Sequence, residues 1–248
     1  MLNVTDHGPV REIRLERPPV NALNPALVDT LQAALEAAGG EADGVVLSGR
    51  EGLFSAGLDV PALLVLDRSQ MGAFWRSFEA LLKTIACMPV PTAVAITGHS
   101  PAGGAVMSLF ADYRVMSRGP FKIGLNETQV GLTLPGFIHD ALVRLVGAHR
   151  AERLIVAGAL VSPEHALSLG LVDDLADSAD AAVEAAVEWC RSLMKLPRKT
   201  MLTNRGVMRH SLTRLFDQPN DEEEFLAVWF SEETQATLKA LVASLGKK

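Results

Sequence analysis

Two short runs, GVVLSG at 44–49 and TAVAIT at 92–97, constrain this chain more than any other feature. Almost every position in them is apolar or small, and both are too short for a stable helix, so each reads as a buried strand. Between them Phe74, Phe78, Leu82 and Ile85 recur at helical spacing, and Pro89 and Pro91 end that helix. Before them Asn24 can cap a first helix and Pro25 suits its first position. Leu27, Leu31 and Leu35 give that helix its apolar stripe, and Gly39-Gly40 is expected to stop it. VREIRLE at 10–16 alternates as a half-buried strand does, and ADYRVMS at 111–117 reads as a further strand with Asp112 at its start. From about residue 134 the pattern is mostly helical, with a break near Pro197 and an acidic DEEE at 221–224 that suits a helix N-terminus. Strands alternating with helices predict an α/β protein, its sheet complete before the helical last third.

With 248 residues, 48% of them hydrophobic, the chain can bury a full core. A net charge of -6 leaves no basic footprint, which excludes nucleic acid and anionic membrane as principal partners. Cys87 and Cys190 are far apart in sequence and lack zinc-ligand spacing, so both are expected to be buried thiols. The first residues, MLNVTDHGPVREIRLE, carry charge too early for a signal peptide, and no apolar run is long enough to span a bilayer. The final GKK is not a peroxisomal tripeptide, and a soluble cytoplasmic protein is expected. Phosphate-loop, dinucleotide-binding, zinc-protease and EF-hand patterns are absent, removing nucleotide hydrolysis, nicotinamide chemistry and zinc proteolysis from consideration.

The stretch GHSPAGGAVMSLFADYR at 98–114 admits two chemistries. GHSPA departs by one residue from the G-x-S-x-G nucleophile elbow. In that elbow the residue after the serine donates its N–H to an oxyanion, and here that residue is Pro101, which has none. Ser100 is therefore read as a small turn residue. Gly103 and Gly104 support the other chemistry: without side chains, they let amides at a helix start face an anion. Close packing of helix on strand would also account for them. FSAGLD at 54–59 is a second small-residue loop after a strand, and GLNETQVGL at 124–132 places Glu127 between a strand and a helix. Taken alone, Asp59 could cap a turn or helix, and Glu127 could be a surface acid at a helix start.

Together, FSAGLDV, AITGHSPAGGAVMSLFADYRV and IGLNETQVGL resemble the enoyl-CoA hydratase/isomerase (crotonase) superfamily over essentially the whole chain. PAGGAVMSLFADYR followed by IGLNETQ is most similar to its Δ3,Δ2-enoyl-CoA isomerase branch, whose reaction serves fatty-acid β-oxidation. The resemblance implies an α/β fold, a crotonase-like ββα superhelix over residues 1–195. It also implies a C-terminal helical trimerisation region over 196–248, and a homotrimer or dimer of trimers. The implied ligand is a fatty enoyl-CoA thioester, with no cofactor beyond the coenzyme A that the substrate carries and no metal.

Matched motif by motif, the resemblance makes the backbone N–H groups of Leu58 and Gly103 the oxyanion donors and Glu127 the catalytic base. It gives Ala56, Gly57, Asp59 and Val60 to the coenzyme A loop, and Asn126 to orienting the carboxylate or the substrate. One departure matters. Hydratases of the superfamily carry a second glutamate at the position of Val106. Adding water requires a held water and protons moved on two centres, whereas a 1,3 proton shift requires one base. The implied activity is isomerisation; a hydratase and a catalytically silent acyl-CoA binder are the alternatives. His99, His139 and His149 lack ligand spacing, Trp75, Trp189 and Trp229 read as helix packing, and Arg14, Arg17 and Lys83 are cations with nothing to select among them.

Overall fold

The structure, a computed structural model, describes residues 1–217 and 222–245. Its strands are β1 (Leu2–His7), β2 (Val10–Leu15), β3 (Gly44–Ser48), β4 (Gly52–Leu53), β5 (Thr92–Ile96), β6 (Gly98–Pro101), β7 (Tyr113–Ser117), β8 (Ile123–Gly124) and β9 (Asp174–Ala176). The helices of the first part are α1 (Pro25–Glu41), α2 (Val60–Leu63), α3 (Arg68–Ala86) and α4 (Gly103–Leu109). They are followed by α5 (Gly136–Val146), α6 (Ala148–Ala157), α7 (Pro163–Leu169) and α8 (Ala179–Met194), and then by α9 (Arg198–Thr213), α10 (Glu222–Trp229) and α11 (Glu232–Leu245).

Strands β1, β2, β3, β5, β7 and β9 form one sheet in that order, and β4, β6 and β8 form a second, smaller one. Among the pairs of these described strands, only β1–β2 is antiparallel. The chain thus makes three similar passes, each laying a strand in the large sheet and then one in the small sheet: β3 then β4, β5 then β6, β7 then β8. This is the repeated ββα arrangement expected. Because the small sheet is parallel, the segments leaving β4, β6 and β8 emerge side by side at its carboxyl edge, where open α/β sheets bind ligands.

The all-apolar strand runs have a simple cause. Alternate residues point to opposite faces, and both faces of the large sheet are covered. Val45, Leu47, Val94, Ile96 and Met116 face the main core with α1 and α3, while Val46, Ala93, Ala95 and Val115 meet Ala182, Val183, Ala186, Val187 and Cys190 on α8. Trp75 stacks on Phe225 with ring centroids 3.8 Å apart, and Trp189 stacks on Tyr113, so these indoles pack as expected.

Several expectations are corrected. Helix α1 runs through Gly39-Gly40 to Glu41, because the bare α-carbon of Gly39 lies against residues 88–89; a Cβ there would sit 3.0 Å from Met88 Sδ. The sheet is not complete before the helical part, since β9 joins its edge beside β7. Cys87 is exposed as the cap residue ending α3, whereas Cys190 is buried as expected. The second strand is more than half-buried: Glu12 is 1% exposed and accepts from Ser48 Oγ at 2.6 Å, His7 Nε2 at 2.9 Å and Arg14 Nε at 3.0 Å. Of the acidic DEEE, Glu222, Glu223 and Glu224 begin α10, and Asp221 lies outside the described residues, as does GKK at 246–248.

Asp112 does not start a strand. It precedes β7, accepts from Thr92 N–H at 2.8 Å, and takes Arg205 Nη2 at 2.8 Å and Arg209 Nη1 at 2.7 Å. Arg209 also donates to the carbonyls of Ala86 and Phe110, and Arg205 to that of Met88. Two arginines of α9 thereby satisfy the orphan carbonyls at and beyond the ends of α3 and α4 and fasten the C-terminal helices to the core.

Candidate active site

The segment after β4 is pinned from below. Asn21, fully buried, donates through Nδ2 to the carbonyls of Leu15 and Phe54 and accepts from Arg17 N–H. Ser55 Oγ donates to the Asn21 carbonyl and accepts from Gly57 N–H at 3.2 Å. The Ala56 amide goes to Val20 and the Asp59 amide to Leu23. Of the four consecutive amides at 56–59, only that of Leu58 finds no acceptor among the described residues. The amides of Ala56 and Gly57 are thus both engaged within the protein.

The second segment leaves β6 through Ala102, whose φ of +48° and ψ of -126° are costly for a residue with a side chain. Its amide is held by the Gly124 carbonyl at 2.8 Å, tying the second segment to the end of β8. That turn makes Gly103 the first residue of α4. Its N–H has no intrahelical partner and no side chain caps it. The two free amides lie in touching loops: a Cβ built on Gly57, at φ +84°, would fall 3.1 Å from Gly103 N and 2.9 Å from Ala102 Cβ. Ser100 lies in β6 rather than in a turn, fully buried, its hydroxyl without a hydrogen-bond partner. No base activates it.

The third segment leaves β8 and forms a 3-10 turn, Glu127–Val130. Glu127 is no surface acid. It is 8% exposed, its Oε2 has no hydrogen-bond partner, and burial pushes its pKa up to about 7, opposed only by its own backbone amide. The neighbouring Asn126 Oδ1 is also buried and unpartnered. Val106, one turn into α4, is 1% exposed, and the only buried acids among the described residues are Glu127 and the fully engaged Glu12.

Asp59 caps α2 by accepting from Ala62 N–H at 3.2 Å and pairs with Arg17 Nη2 at 2.7 Å, so its side chain serves the loop. Arg14 is likewise held by Glu12, leaving Lys83 alone of the three candidate cations outside these pairs. Val60 opens α2, directly after the loop. Sequence reasoning missed Asn21 and the two residues after the glutamate. Thr128 Oγ1 donates to the Ile155 carbonyl at 2.7 Å and Gln129 Nε2 to that of Gly158 at 2.8 Å, fixing the turn to the end of α6. Spacing gives no warning of such bonds, because their partners are backbone carbonyls about thirty residues away.

All three loops fall within the part of the chain that a family model matches. The model for enoyl-CoA hydratase/isomerase covers residues 5–242. The chain belongs to this family. Human enoyl-CoA delta isomerase 1, mitochondrial, is 30% identical over 95% of this chain and 80% of its own. A Mycobacterium avium protein named as a probable enoyl-CoA hydratase, echA17, is 33% identical over 84% of this chain and 79% of its own. The crystal structure of human mitochondrial delta3-delta2-enoyl-CoA isomerase superposes with a TM-score of 0.93 at 29% identity, covering 99% of this chain and 98% of that one. Within the family, the likenesses to the human isomerase agree with the isomerase branch. No helix among the described residues is long and apolar enough to cross a membrane.

Proposed function

We propose that this enzyme is a Δ3,Δ2-enoyl-CoA isomerase acting through a single carboxylate. The observation that carries the reading is Glu127, a buried carboxyl with an unpartnered oxygen, in a chain whose hydratase-type second position is the hydrocarbon Val106. The thioester carbonyl of a 3-enoyl-CoA accepts from the N–H groups of Leu58 and Gly103. Glu127 removes a proton from C2, the charge spreads into a dienolate whose oxygen rests on those amides, and the same carboxyl returns the proton at C4. The product is the 2-enoyl-CoA, and no atom is gained or lost. An ordinary glutamate is a weak base towards carbon. Burial brings Glu127 nearer to working pH, and each oxyanion donor contributes about 3 kcal/mol of transition-state stabilisation.

Ala56 and Gly57 take the coenzyme A by main chain, Asp59 and Val60 shape that loop, and Asn126 orients the carboxylate or substrate. Nothing in the reaction calls for a metal or a separate cofactor. A homotrimer or dimer of trimers in the cytoplasm completes the proposal. The exposed Val207 and Met208 on α9 support an interface there, while the mammalian relatives bear the word mitochondrial in their names.

The relative named as a hydratase favours testing water addition as well. Ultraviolet absorbance separates the two reactions, since conjugation appears when a 3-enoyl-CoA is isomerised and disappears when a 2-enoyl-CoA is hydrated. Isomerisation is expected to dominate, and Glu127→Gln to lower its kcat at least about a hundredfold. Turnover by that variant near the wild-type rate refutes the single-base reading.

A further inference from the structure

A buried base with an unpartnered carboxyl oxygen gains little orientation at its side-chain end, so its aim depends on how its backbone is held. The turn carrying Glu127 is fastened at two places. Thr128 and Gln129 fix its first half to α6. At the far end Gly131, at φ +74°, closes the turn by returning its amide to the carbonyls of Glu127 and Thr128, and Leu132 N–H bonds the Glu127 carbonyl at 3.0 Å. The carbonyl of Gly131 is in turn held by a single side chain: Thr234 Oγ1, on α11, donates to it at 2.6 Å.

Thr234 is 2% exposed and shares the buried stripe of α11 with Leu238, one helical turn on. Its own amide is capped by Ser231 Oγ at 3.2 Å, so the hydroxyl is presented from a fixed helix start. Helix α11 also packs on α2, the helix that begins just after the Leu58 amide. One C-terminal helix therefore touches both the base's turn and the helix that follows the oxyanion loop. Neither Thr234 nor Gly131 belongs to the three motif loops' reacting groups.

We propose that Thr234 is a positioning residue for Glu127, its hydroxyl holding the Gly131 carbonyl so that the carboxyl stays aimed at the carbon acid. This rests on the reading of Glu127 as the base. Thr234 acts through the turn, its hydroxyl being spent on the Gly131 carbonyl, so its removal is expected to act on the chemical step and to leave binding of the thioester alone. Valine has the shape of threonine without the donor. Losing the donor also leaves a part-buried carbonyl without that partner, which is why folding is read separately from turnover.

The test compares Thr234→Val, Thr234→Ser and Glu127→Gln in the full-length enzyme by steady-state isomerisation of a 3-enoyl-CoA, with the folded fraction read by circular dichroism. Thr234→Val is expected to lower kcat about tenfold with KM near the wild-type value, and Thr234→Ser, which keeps the hydroxyl, to restore most of it. If Thr234→Val does not fold, Thr234→Ala is set against Thr234→Ser at a temperature where both are folded, with the same split expected. Wild-type kcat in folded Thr234→Val or Thr234→Ala, while Glu127→Gln is inactive, overturns this inference alone. A loss that merely follows the folded fraction, or that serine does not restore, overturns it in the same way. An active Glu127→Gln overturns the reading of the site, and the role of Thr234 with it.

Discussion

Glu127 joins two properties that oppose each other. Its carboxyl must ionise to act as a base, yet it sits where water does not reach it. With a pKa pushed up to about 7, kcat/KM is expected to fall as pH drops below about 7 and to level off above it, which a pH–rate profile checks. The same shift works against stability. The folded protein keeps a proton that the unfolded chain, with its ordinary value of 4.5, has released, so stability declines as pH rises from 4.5 to about 7. The loss is on the order of 3 kcal/mol. Glu127→Gln is therefore expected to be more stable than the wild type at pH 8 and equal to it near pH 4, as urea titrations at the two values would measure. Gly57→Ala tests the other half of the site. Its methyl group would crowd Ala102 and Gly103 N, at a φ that disfavours any side chain, and kcat is expected to fall about a hundredfold with the fold retained. The sequence named these residues through their motifs but could not report that the glutamate was buried.

Among elements, the 3-10 turn and α9 show where local pattern stops being informative. ETQ reads as one catalytic residue with two polar neighbours, whereas in the structure the neighbours are the bonds that hold the turn to α6. Helix α9 is rich in polar residues, and what joins it to the core is ionic: Arg205 and Arg209 on Asp112, with the Arg209 guanidinium pushed down by burial to about 10. Asp112→Asn would leave two largely buried guanidiniums without their counter-charge and is expected to cost about 3–5 kcal/mol, measurable by chemical denaturation. The failures at Gly39-Gly40 and at β9 share a cause. Gly39 is small because residues 88–89 pack on it rather than because the helix ends there, and the three-residue strand pairs with the edge that β7 offers it.

For the whole molecule, the site is a consequence of parallel register: strands β4, β6 and β8 pair side by side, so segments roughly 45 and 25 residues apart in sequence leave the same edge together. At the other margin Glu12 joins β2 to β3. Burial alone would raise its pKa, but hydrogen bonds from Ser48, His7 and Arg14 hold it below the usual 4.5. Its contribution to stability is complete above 4.5 and lost as pH falls through the lower folded value. Thermal melts down to about pH 3 are expected to show an acid decline that Glu12→Gln makes shallower, from a lower starting stability. By itself the sequence determined the α/β class, the buried strands, the first two long helices and the three loops bearing the amides and the carboxyl. Periodicity and backbone chemistry are local, and an apolar run or a proline without an N–H means the same in any fold. Only the tertiary structure decided that the Leu58 and Gly103 amides are left free, that Glu127 is desolvated, and that Thr234 and the arginines of α9 reach back to the core. Each of these depends on which distant groups arrive as neighbours, and a hydrogen bond or a lost water shell belongs to both partners at once.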